Sequence, residues 1–181
     1  MPDDRHSNKG RSWTMKIRAV WMACLLAGTA AVHADDWPVR KAGLWEITMS
    51  HSNDKEPPMV QRICVDRETD AMMNRQAASM GPKCEKHDVH ASAQKVTSSS
   101  VCDFGSSKLT SSVVMTYTGD TAFHADIQGH FDPPKAGMSD TRSTQDGHWV
   151  GACPSDMRPG DMIMKTRSGE MRMNMRDMLK H

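Results

Sequence analysis

The sequence lacks an excess of either charge. Its 181 residues carry 23 Lys and Arg against 22 Asp and Glu, for a formal net charge of +1. That balance is too near neutral for phosphate-driven nucleic-acid binding to be the default. No apolar run reaches the roughly 18–20 residues that a membrane-spanning helix needs. No two cysteines stand at C-x-x-C spacing, which argues against thioredoxin-type exchange and zinc-ribbon sites. Glycine-rich phosphate loops, G-x-S-x-G elbows and H-E-x-x-H pairs are missing too. A serine or cysteine nucleophile would therefore need a base brought to it by the fold. There is no internal repeat and no low-complexity segment apart from the Ser and Thr bias at residues 97–112, which reads as a solvated strand face. Three Phe and one Tyr stand against 17 Met. The remaining composition is that of one ordinary globular domain.

The N-terminus holds the first positive signal. Lys16 and Arg18 precede an uncharged apolar run over residues 19–32, and Val32, His33 and Ala34 follow with a small residue last. Positive flank, short apolar core and small-residue exit predict a secretory signal peptide over residues 1–34, cleaved after Ala34. Met15, Lys16, Ile17 and Arg18 make a more natural start than Met1, so residues 1–14 are a candidate misassigned start. Cys24 lies inside the run without the order of a lipidated cysteine and would leave with the signal. The expected mature chain, residues 35–181, keeps 18 basic and 20 acidic side chains, a net charge of −2. Its predicted location is the periplasm or the outside, with no transmembrane segment.

Four cysteines remain, Cys64, Cys84, Cys102 and Cys153. An even number in an exported chain reads as two disulfides. Three pairings are possible. The segment from Cys84 to Cys102 is symmetric about Ala93 and looks like two strands joined by a turn, which favours Cys84–Cys102 with Cys64–Cys153. On the chain-entropy view such bridges contribute about 3 and about 4.5 kcal/mol.

Alternation supplies the fold class. Trp45, Ile47 and Met49 share one face of a strand, and residues 60–65 make another. Residues 66–80 suit a helix, with Asp66 as cap, Glu68 and Asp70 in the first turn, and Gly81-Pro82 as the stop. Strands follow near residues 84–90 and 94–104. The clearest pair places Leu109, Ser111, Val113, Met115 and Tyr117 on one face, then Phe123, Ala125, Ile127 and Phe131, across a turn at Gly119-Asp120. A loop is expected at residues 132–137, then a polar strand at 139–146 and a closing segment at 147–151. The prediction is a mainly β protein, a strongly curved antiparallel sheet or open barrel of seven to eight strands with one or two helices. Its boundaries are a single disulfide-stapled β domain over residues 35–162 and a Met-rich C-terminal tail over residues 163–181.

Gly43, Leu44, Trp45 and Glu46, the four spaced cysteines, the run from Trp149 to Pro154, and the stretch from Asp156 to Met162 resemble domain-of-unknown-function family 3617. Its members are small exported proteins of Gram-negative bacteria. The resemblance spans residues 42–162. It implies export and a β-rich fold, and it supplies no activity and no functional residues.

The candidate constellations are few. His87 and His90 have metal-pair spacing on a helix, but on a strand they point to opposite faces. His124 shares the polar face of its strand with Asp126, Gln128 and His130, and a metal or proton-transfer pair could sit there. That reading competes with a solvated outer face. Trp45, Phe123, Ile127 and Trp149 either line a cavity for a small apolar ligand or make solid core. In the tail, Met162, Met164, Met171, Met173 and Met175 could bind Cu(I) or Ag(I) through soft thioethers if extended. A helix from Gly169 would instead give Met171, Met175 and Met178 a packing stripe. The sequence thus predicts an exported non-catalytic protein, a binding or interaction module without a cofactor, with soft-metal binding as the alternative.

Overall fold

A computed structural model of the chain describes residues 37–51, 57–79, 83–166 and 169–178. The signal-peptide reading of residues 1–34, Cys24, the Gly81-Pro82 helix stop and His181 lie outside the described residues.

Alternating sequences become strands throughout. The strands are β1 (Gly43–His51), β2 (Met59–Val65), β3 (Cys84–Ser92), β4 (Lys95–Asp103), β5 (Lys108–Thr118), β6 (Ala122–Lys135), β7 (Met138–Gly151), β8 (Asp161–Thr166) and β9 (Gly169–Asn174). Two helices, α1 (Arg67–Ala78) and α2 (Met175–Met178), complete the described elements. All nine strands join one sheet in the order β3-β4-β5-β6-β7-β1-β2-β8-β9, and every pairing is antiparallel. The sheet is curled and open.

Four features depart from the sequence-based expectation. Among the described residues the strands number nine rather than seven or eight, because residues 161–174 form a hairpin that pairs with β2. The sheet thus continues past residue 162, and a helix from Gly169 is replaced by β9. The expected loop at residues 132–137 shrinks to a turn at Ala136 and Gly137, because residues 132–135 belong to β6. Pro133 and Pro134 sit where the β6–β7 register shifts between His130 and Lys135, so neither is asked for a ladder N–H. The polar strand at 139–146 and the segment at 147–151 are one strand, β7.

The bridges are Cys64–Cys153 and Cys84–Cys102. Cys84 and Cys102 oppose each other at the open end of the β3–β4 hairpin. Cys64–Cys153 ties β2 to the segment after β7, 89 residues away in sequence.

Helix α1 starts as its sequence dictates. Asp66 is the N-cap and accepts from the Thr69 backbone N–H at 2.8 Å. Burial alone would raise the Asp66 carboxyl, but hydrogen bonds from Thr69 and Arg176 outweigh it and hold the group below the usual carboxylate range. Arg176 belongs to α2 and also donates to the Thr69 hydroxyl at 2.9 Å, so the two helices are fastened through one cap. One turn further, Asp70 is buried against Arg40, whose Nε donates at 2.6 Å. Nothing in the alternation pattern signals that pair.

Candidate functional site

The side chains of one sheet face form the inside of the curl. Trp45, Ile47, Ile63, Val65, Val96, Tyr117 and Phe123 make one buried cluster, with Met73 of α1 and Trp37 packed against it. Trp45 is 0% exposed, and its ring stacks on Phe123 at 5.9 Å between centroids. Gly147 makes that stack possible. A Cβ at this position would stand 2.1 Å from the Phe123 ring, so the ring occupies space a larger residue would take. The Trp45 indole N–H is satisfied by the Lys41 carbonyl at 2.9 Å. Trp45 and Phe123 are therefore filled core, not the walls of an open mouth. Trp149 packs on the cluster's rim, its indole donating to the Ala42 carbonyl at 3.0 Å beneath the Lys41 ammonium.

The same strands behave differently toward their other ends. Register places Val89, Ser98, Val113, Ile127 and Ser143 in one inward row. The next row holds His87, Ser100, Ser111, Gly129 and Thr141. Apart from buried Ser100, these residues are half-buried. The Ser100 and Ser111 hydroxyls bond each other at 2.7 Å. The Nε2 atom of His87, beside them in register, is buried with no hydrogen-bond partner among the described residues. A buried polar atom left without a partner costs about 1–3 kcal/mol. His90, the other half of the sequence pair, is exposed on the opposite face. Ile127 is thus the one predicted cavity residue that stands in the open part of the inner face.

The outer face is a ladder of cross-strand ion pairs. His124 Nδ1 lies 2.7 Å from Asp146, and its Nε2 lies 3.6 Å from Asp126. His130 pairs with Asp140 at 2.9 Å, while Glu46 takes Arg62 at 2.8 Å and stands 3.7 Å from His148. The hydrogen bond to Asp146 raises the His124 pKa above that of ordinary imidazole against the opposing effect of desolvation, and the charges of Asp146 and Asp126 add to it. The His124 side chain is 49% exposed, and pairs this open to water contribute little. Sequence spacing found Asp126 as the partner. The shorter bond goes to Asp146, which only strand pairing brings opposite.

The methionines divide as well. Met162 opposes Met173 and Met164 opposes Met171 across the β8–β9 hairpin, so all four lie on one face with Ile63 and Gln61 of β2. Met175, grouped with them by spacing, opens α2 and packs against the buried cluster. Among the described residues no three His, Cys, Asp or Glu side chains gather in a metal-holding group. No helix among them is long and apolar enough to cross a membrane.

No curated protein and no solved structure matches the chain. One family model does match, over residues 40–153, from the arginine of the buried Arg40–Asp70 pair to the second cysteine of the long bridge. That family is described as protein of unknown function (DUF3617). The match covers β1 to β7, and the β8–β9 hairpin follows it. The chain belongs to the DUF3617 family.

Proposed function

We propose that this protein is an exported, non-catalytic binding module that holds a small elongated apolar molecule with one polar head in the open half of its inner face. The observation that carries the reading is the unequal filling of that face. Around Trp45 and Phe123 it is solid, with Val89 packed on its margin, whereas Val113, Ile127 and, apart from buried Ser100, the His87 row face inward yet stay half-buried. Val89, Val113 and Ile127 supply apolar wall, as ligand sites generally require, with a few placed polar groups to orient the guest. His87 Nε2 is such a group, because a head placed on it would satisfy the unmet hydrogen bond.

Export is supported by the signal-peptide pattern of residues 1–34 and by the two bridges, since disulfides persist in oxidising compartments such as the periplasm or the cell exterior. A neutral charge balance keeps nucleic acid out of the proposal.

The test is fluorescence titration of the oxidised protein with a dansyl-labelled fatty acid. Saturable binding with a blue-shifted emission is expected. Ile127→Glu should abolish it, and His87→Phe should weaken it by roughly 10-fold, one hydrogen bond's worth. A dye that fails to saturate, or binds Ile127→Glu as well as the parent, overturns the proposal.

A further inference from the structure

The β8–β9 hairpin is an unexpected place for methionine. Edge strands are better built from β-branched and aromatic residues, and the flexible thioether offers little to a pleated surface. Yet its inner face repeats Met162, Met164, Met171 and Met173. Only one of them packs on the buried cluster, while Met164 and Met173 are half-buried. Met162 lies against the buried cluster, but Met164, Met171 and Met173 are outside it, and Met171 is 46% exposed.

Register brings the four together. Directly opposed residues on one face have Cβ atoms about 4.5–5.5 Å apart, and successive residues on that face are about 7 Å apart along the strand. Each methionine has three rotatable bonds, so four Sδ atoms can reach a common point above the centre of this rectangle. The charged side chains of the hairpin, Asp161, Lys165, Glu170 and Arg172, alternate onto the other face. The strand beside it adds Gln61 and Ile63, which are neutral. Within β8, β9 and β2 the inner face is therefore a donor set of soft neutral sulfur without a carboxylate or imidazole, while Asp161, Asp177, Arg158 and Arg172 border the hollow that Met162 and Met173 also line. Hard cations such as Mg²⁺ and Ca²⁺ need oxygen ligands, whereas thioethers select soft ones.

We propose that Met162, Met164, Met171 and Met173 form a thioether site for a soft univalent cation, Cu(I) or Ag(I). The ion binds as it arrives, with no change of oxidation state. Thioethers carry no proton to release, so affinity is flat with pH. A site built on histidine would weaken between about pH 7 and pH 5 as imidazole protonates. The site is separate from the apolar-ligand reading, since it stands at the β9 edge of the sheet and the His87 row stands on β3 to β7.

The experiment is competitive titration of the full oxidised chain with Ag(I), and with Cu(I) under anaerobic conditions, at pH 7 and pH 5. One equivalent is expected to bind with the same affinity at both. Replacing Met164 and Met171 with leucine conserves volume and should weaken binding by about 100-fold, with circular dichroism unchanged. A control with Met49→Leu and Met115→Leu should bind as the parent does. Should the hairpin variant misfold, methionine methyl resonances of the parent decide the matter, because Ag(I) should shift those of the four ladder residues and leave Met49 and Met115 in place. Undiminished binding in the folded hairpin variant, affinity lost at pH 5, or methyl shifts elsewhere would overturn the proposal.

Discussion

The two halves of the inner face share strands β4 to β7 but not their fate. In one half Tyr117, Phe123 and Trp45 meet across three neighbouring ladders and α1 adds Met73, so large side chains close the space. In the other half the corresponding positions are Ser100, Ser111, Gly129 and Thr141, which are too small to reach across the curl. Curvature is common to both. Side-chain volume decides which half becomes core, because interiors tolerate no sizeable void where apolar groups can fill it. Scarcity of aromatics has a direct consequence: among the described residues, Trp37, Trp45, Tyr117, Phe123 and Trp149 gather in one half and Phe104 and Phe131 pair at the far end, leaving none for the middle of the other.

Truncations should make the contrast measurable. Trp45→Ala should cost about 3–5 kcal/mol in urea unfolding, because a fully buried indole is lost and its cavity remains. An equal loss from Ile127→Ala would erase the distinction between the halves; the half-buried site predicts only about 1 kcal/mol. Between these lies the pair that helps hold α1. Asp70→Ala should cost about 3 kcal/mol by leaving the Arg40 guanidinium buried without its partner. A cost indistinguishable from that of surface substitutions would mean the helix is held by apolar packing alone.

The smallest effect concerns the outer face. His124 has a raised pKa in the folded chain, so its ion pair with Asp146 adds stability below the unfolded imidazole pKa and loses it as pH rises through the folded value. Solvent screening limits the gain to a few tenths of a kcal/mol. Proton NMR titration should place His124 above free imidazole, and Asp146→Asn should bring it back down. An unchanged His124 titration in that variant would shift the cause to Asp126.

Much of this protein is determined by periodicity read along the chain. A residue's neighbour two positions away shares its face whatever the rest of the molecule does, so strands, faces and the divergence of His87 from His90 were all legible. The β3–β4 hairpin was legible too, but its ladder is centred between Ala93 and Gln94, and a register shift between Cys84 and Lys86 is what sets Cys84 opposite Cys102. Tertiary structure alone decided which strands became neighbours. The β7–β1 pairing, the docking of β8–β9 on β2, the burial of Arg40 against Asp70 and the meeting of His124 with Asp146 join residues far apart in sequence. Local pattern is silent about such unions, since they depend on how the whole sheet curls and on which side chains are large enough to fill it.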